Sequence, residues 1–253
     1  MIANYHTHTR WCRHGEGEIE DVIRAAMDAG LEEIAISEHV PHRDNADHFR
    51  LQWEEFEDFN RELDQKILEY KGRIKVLKGL ECEYYPVDLD DYRMFKEKYG
   101  YYLFLGQHRI GKDPYMGEIN CFGKNKDEVA MQLYADTVCK GLESGLFSFL
   151  AHPDCILHDY NDNVWNDISE KTMRQIFACC EKTKIPVEIN ANGWIKGRRY
   201  PCKEAFLLSK EYDLIYLLNA DAHEPWHIYD DGVKELEKEV EKWGISVTPR
   251  IDL

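Results

Sequence analysis

The residues best suited to chemistry stand at the start of the chain, in His6-Thr7-His8, with His14 shortly after. On an extended segment, side chains at i and i+2 share a face, so His6 and His8 present two imidazoles to one point. Neutral imidazole is a donor to zinc, iron and related ions. A lone His-x-His carries little weight; its meaning depends on whether further donors reach the same place. The chain offers such donors at intervals: Glu38-His39, Glu81, Gln107-His108, Ala151-His152-Pro153-Asp154 and Asp221-Ala222-His223.

These donors must be positioned by the elements that carry them. Short apolar or β-branched runs alternate with longer amphipathic stretches along the whole chain. The runs predict strands over 2–5, 33–37, 74–80, 101–106, 146–150, 186–189 and 214–219. The stretches between predict helices over 18–29, 53–70, 90–98, 127–144, 170–183, 203–210 and 231–243. One continuous strand–helix alternation implies a parallel sheet, and at this length a closed barrel with helices outside is the natural solution. The doubly wound alternative usually carries a Gly-rich loop after its first strand, and none is seen here. No linker, repeat or low-complexity tract divides the sequence, so residues 1–253 read as a single domain.

In a parallel barrel, every strand's C-terminal end opens on one face. Donors spread over more than 200 positions would then converge on one pocket. Nine candidates, His6, His8, His14, His39, Glu81, His108, His152, Asp221 and His223, are too many for one zinc, which takes about four ligands. Two or three ions are implied. Glu81 and Asp221 would supply anionic oxygens, and a carboxylate can bridge two ions.

Composition narrows the options further. A formal net charge of −16 disfavours long nucleic acid as a partner but leaves a small phosphorylated substrate open. No apolar run approaches a membrane span and no leader pattern opens the chain, so a cytoplasmic protein without a membrane partner is expected. None of the eight cysteines forms a Cys-x-x-Cys pair, which favours buried thiols over a disulfide framework. The oligomeric state is not legible.

The same donors, in the same order, resemble the motif series of the polymerase-and-histidinol-phosphatase (PHP) family. The resemblance covers nearly the whole chain. It implies a distorted (β/α)7 barrel with a trinuclear centre of divalent zinc, iron or manganese. By that resemblance, His6, His8, Glu81 and Asp221 hold one metal. Glu81 bridges to a second held by His108 and His152, and His14, His39 and His223 hold a third. Within the family, the chain most resembles the histidinol-phosphatase branch. The shared features are its size, the Glu38-His39-Val40-Pro41-His42 stretch, Gly79-Leu80-Glu81, and Glu188-Ile189-Asn190 with a glycine soon after.

Three divalent ions against two carboxylates leave roughly four positive charges at close quarters. That field suits a phosphate monoester, hydrolysed by attack of a metal-bridging hydroxide, with histidinol phosphate the leading substrate. Another small phosphorylated metabolite or nucleotide is the alternative. An amidohydrolase-type metal enzyme and a non-catalytic metal-binding module are remoter ones. His42 and Asp154 are candidate proton donors to the leaving group. Lys196, Arg198 and Arg199 form the one compact basic cluster near the expected mouth, and an arginine fork suits phosphate. Glu118 is a candidate for a cationic part of the substrate. His158 stands where this branch tends to carry a basic residue, and that departure bears on the substrate rather than on the metal chemistry.

Overall fold

The computed structural model describes residues 1–45, 47–111, 119–124 and 126–253. Four parallel strands lie side by side in chain order: β1 (Ala3–Asn4), β2 (Glu33–His39), β3 (Lys75–Cys82) and β4 (Tyr102–Leu105). A small antiparallel hairpin, β5 (Arg109–Ile110) and β6 (Ile119–Asn120), follows. A second parallel pair is formed by β7 (Val187–Asn190) and β8 (Tyr216–Asn219). Leu150 makes parallel bridges to both Leu105 and Val187, and Thr7 bridges Ala222. The result is an α/β fold whose parallel sheet curls in the manner of a distorted TIM-like barrel.

The helices occupy the connections: α1 (Ile19–Asp28), α2 (Phe56–Glu69), α3 (Leu89–Tyr99), α4 (Glu128–Glu143), α5 (Asp167–Thr183), α6 (Ala191–Ile195), α7 (Lys203–Ser209) and α8 (Asp231–Lys242). Their starts are chemically specified. Glu18 and Asp21 form a reciprocal capping box on α1, and the side chains of Asp127, Asn166 and Asp230 cap α4, α5 and α8. On α1 the apolar face of Ile19, Val22, Ile23 and Ala26 is buried, at the spacing a helix requires. Among the described residues, no helix is long and apolar enough to cross a membrane.

The strand period of two sorts side chains between the two faces of the sheet. Ile34, Ile36, Val76, Leu80, Val187 and Ile189 belong to the large cluster that includes the helices' buried faces. Ala35, Tyr102, Phe104, Phe149 and Leu217 form a separate cluster on the inner side. Phe104 and Phe149 stack at 4.4 Å between ring centres, 10° from parallel. His6 meets Phe104 edge-on at 4.7 Å, so this aromatic pair is the floor beneath the first histidine. Continued upward, the same period carries β2 from Ala35 to Ser37 and His39, and β3 from Leu77 to Gly79 and Glu81. Register pairs His39 with Glu81 across β2 and β3.

Two expected elements come out differently. The first strand is regular only over Ala3–Asn4, and the chain rejoins the sheet at Thr7. The fifth run shrinks to the bridge at Leu150, although its backbone bonds on both sides: Leu105 N to Phe149 O at 3.0 Å and Glu188 N to Leu150 O at 2.8 Å. Positive φ at Gly145 (71°) and His152 (25°) marks the two ends of this run. The β5–β6 hairpin was not legible from the sequence. Truncating Phe104 to Ala should open a cavity under His6 and cost about 3–5 kcal/mol of stability in urea denaturation. A loss below about 1 kcal/mol would mean that the aromatic floor is not packed as described.

Candidate metal centre

The strand ends bring the nine donor residues together. His6 Nε2 lies 3.1 Å from His8 Nε2, 3.2 Å from Glu81 Oε2 and 3.4 Å from Asp221 Oδ1. His8 Nε2 is 3.4 Å from both Glu81 Oε2 and Asp221 Oδ1. Four donors at ligand distances of 2.0–2.2 Å in a tetrahedron would stand roughly 3.3–3.6 Å apart, so this spacing fits one ion. The other Glu81 oxygen, Oε1, is 2.9 Å from His152 Nε2 and 3.3 Å from His108 Nε2. His39 Nδ1 approaches Glu81 Oε2 at 3.0 Å. His14 Nε2 and His223 Nε2 face each other at 2.9 Å, and His39, His8 and His223 also come within ligand reach of one another.

The hydrogen bonds behind the rings reveal which nitrogen is the donor. His6 Nδ1 is 2.8 Å from Glu188 Oε1, and His108 Nδ1 is 3.2 Å from Glu83 Oε1. His14 Nδ1 faces Cys12 O at 2.8 Å, and His223 Nδ1 faces Asp221 O at 3.1 Å. Carboxylate and carbonyl oxygens only accept, so each Nδ1 carries a proton, and in His14 and His223, which burial holds in the neutral form, Nε2 is left with a lone pair. The His14–His223 contact therefore opposes two lone pairs with no proton of their own between them. A cation is the partner such a pair fits, and the donor chemistry of the cluster suits metal.

The charge balance agrees with this arrangement. Burial alone would raise the Glu81 and Asp221 carboxyls, yet the surrounding histidines hold both well below the usual carboxylate range. Burial would lower His6 and His108, but neighbouring carboxylates, Asp221 foremost for His6 and Glu81 for His108, lift both to about 9. Burial, reinforced by His8, lowers His14 and His223; burial outweighs Glu81 and brings His39 down to about 3.

An open cleft above the cluster is lined on one side by Asp47, Phe49 and Arg50, and on the others by Arg109, Phe122, Lys196 and Arg198. Arg198 is held ready: its guanidinium carbon sits 5.0 Å from the Phe122 ring centre, and its Nη1 donates to Tyr200 Oη at 2.6 Å. Other residues singled out in the sequence lie elsewhere. Arg199 pairs with Glu204 at 3.0 Å, and its backbone N–H donates to His158 Nδ1. His42 is buried; its Nε2 accepts from Arg50 Nη1 at 2.9 Å, and its Nδ1 stands 3.1 Å from Asp88 Oδ2. Asp154 is buried and accepts from the Cys202 N–H, with its carboxyl raised by burial to about 7. Neither His42 nor Asp154 lines the cleft. Glu118 lies outside the described residues.

Three buried carboxylates behind the histidines were given no role from the sequence: Glu38 and Glu188, noted only as parts of motif stretches, and Glu83. Glu188 takes four donors, from His6 Nδ1, Asn219 Nδ2, His152 N and Asn190 Nδ2. Glu38 accepts from Thr9 N at 2.9 Å and stands 3.8 Å from His8 Nδ1. Their signal was present as a second acid one or two residues from a donor, or as an acid within an apolar strand. Arg109, next to His108, was likewise passed over.

A family model for the PHP domain matches residues 4–192. The chain belongs to the PHP domain family. Its likeness within PHP proteins is to the histidinol-phosphatase branch. It is 25% identical to the probable histidinol-phosphatase of Deinococcus radiodurans, over 93% of this chain and 92% of that one. It is 26% identical to the probable histidinol-phosphatase of Thermotoga maritima, over 97% and 94%. Among solved structures, the histidinol phosphate phosphatase of Lactococcus lactis, complexed with zinc, L-histidinol and phosphate, superposes with a TM-score of 0.75. The two are 17% identical, with 97% of this chain and 95% of that one covered, a likeness of fold.

Two outcomes follow for this PHP domain. His6 and His108 titrate near 9 against an ordinary 6.5, so near pH 7 the metal-free protein holds protons there that an ion must displace. Metal loading should release protons near pH 7 and cease to do so above about pH 10; equal calorimetric heats in buffers of different ionisation enthalpy near pH 7 would contradict this. By the same sign, these two groups stabilise the metal-free fold below 6.5, and that contribution fades as pH rises through about 9. Separately, a methyl at Gly106 would overlap Glu81 Oε1 and lie 2.7 Å from Glu81 Cδ. Gly106→Ala should therefore cost at least about tenfold in metal affinity, and unaltered affinity would show that the Glu81 position is not critical.

Proposed function

We propose that this chain is a metal-dependent phosphomonoesterase and that histidinol phosphate is its substrate. The observation that carries the reading is the division of Glu81. One of its oxygens faces His6 and His8, and the other faces His108 and His152. His6, His8, Glu81 and Asp221 would hold one ion, Glu81 with His108 and His152 a second, and His14, His39 and His223 a third. When bound, the ions would supply Lewis acidity toward water and phosphoryl oxygens.

The remaining work falls to the chain's own residues. Lys196 and Arg198 lie on the cleft wall where a dianionic phosphate would enter, and Tyr200 and Phe122 keep the Arg198 guanidinium in place. Glu188 and Glu83 fix the His6 and His108 tautomers, leaving Nε2 toward the centre. His42 and Asp154 stay behind the cleft wall, so neither is given the role of proton donor. We also read residues 1–253 as one domain and the sheet as a closed (β/α)7 ring; the bridges at Leu150 and between Thr7 and Ala222 support that count. The family membership and the names of the relatives support the choice of ester.

The test is a panel of substrates offered to the protein loaded with manganese, zinc or iron: histidinol phosphate, p-nitrophenyl phosphate, nucleoside bisphosphates and a hydantoin-like amide. Phosphate release from histidinol phosphate should far exceed turnover of the others. Full metal occupancy with no phosphate release from any ester would overturn the reading.

A further inference from the structure

One buried cation has no part in the chemistry above. Arg50 is 5% exposed and joins three stretches of chain. Its Nη1 donates to Val40 O at 3.0 Å, His42 Nε2 at 2.9 Å and Glu83 Oε2 at 3.3 Å. Its Nη2 donates to Glu83 Oε1 and to Asp47 Oδ2, both at 3.2 Å. The Arg50–Glu83 pair is thus two-pronged, the geometry that a planar guanidinium favours. Glu83 is itself 2% exposed, and its Oε1 also accepts from His108 Nδ1.

We propose that Arg50 is a positioning residue for the ion expected at His108, acting through Glu83. A buried carboxylate without a cation is costly, and its side chain would turn toward any other donor or toward water. Arg50 removes both outcomes, because it compensates the charge and pins the two oxygens in one plane. Glu83 then holds the His108 ring with Nε2 toward Glu81. The same guanidinium fastens the loop after β2, so Asp47 and Phe49 on one lip of the cleft are tied to the ligand cluster. His42 has its place here too, as an acceptor that keeps the Arg50 fork turned. A lysine offers a point charge and cannot supply the two parallel bonds together with the Val40 contact. The inference rests on reading the nine donors as a metal centre.

The test is metal binding without substrate, so it does not depend on which ester is hydrolysed. Wild type, Arg50→Lys, Arg50→Met, Glu83→Gln and the double variant Arg50→Met/Glu83→Gln are titrated with zinc or manganese against a chelating dye, with circular dichroism as a check on folding. Arg50→Met should weaken one ion by about 10- to 100-fold and leave the others in place. Arg50→Lys should recover only part of that loss. The double variant should lose no more than Glu83→Gln alone, because the two act in series. Wild-type affinity in Arg50→Met, or losses that add in full, would overturn the proposal while leaving the metal reading intact. If Arg50→Met does not fold, wild-type affinity in Arg50→Lys overturns it equally. A wild-type chain that binds no ion would overturn both.

Discussion

The structure depends on where one carboxylate stands. Glu81 is 1% exposed at the end of β3, and both its oxygens lie 2.9–3.4 Å from histidine nitrogens. Taking such a charge out of water is expensive unless opposite charge surrounds it. The fold supplies histidines to it from four sequence-distant segments, at His6 and His8, His39, His108 and His152. Gly106, on the neighbouring strand end, leaves the space through which the Glu81 side chain passes. Moving this one group would separate the His6–His8 corner from the His108–His152 corner.

The carboxylates in the layer behind complete the arrangement. Glu188 and Glu83 stand behind His6 and His108, so that a histidine lies between two negative groups in each case. Such backing fixes the tautomer and raises the basicity of the facing nitrogen. Below them, the Phe104–Phe149 stack fills the interior with rings that offer no competing hydrogen bond. Polar order above and dry packing below meet at His6, which touches both Glu188 and Phe104.

Much of this was legible in the sequence. Eight of the nine candidates stand at the ends of apolar runs, with His14 on the loop after the first, and the two-residue period of those runs fixes which side chains reach the inner face, as with Leu77, Gly79 and Glu81. Amphipathic spacing made the helices plain, as over 18–29, where Ile19, Val22, Ile23 and Ala26 form the buried face. What could not be read depends on contacts between distant segments. His42 and Asp154 share the strand-end neighbourhood of the clustered histidines, and only packing turns one toward Arg50 and the other toward Cys202. Arg199 looked equivalent to Arg198 until Glu204 paired with it. Glu83, just past a strand end, and Glu188, within a strand, read as ordinary acids because their meaning lies in the histidine behind which each one stands. The β5–β6 hairpin has two-residue strands, too short to give a periodic signal.

The central claim is that Glu81 is shared between ions, and anomalous diffraction from crystals of the zinc- or manganese-loaded protein addresses it most directly. The account predicts anomalous peaks on both sides of Glu81, one against each carboxylate oxygen, and a further peak among His14, His39 and His223. A single peak, or peaks that leave either Glu81 oxygen without an ion, would contradict it.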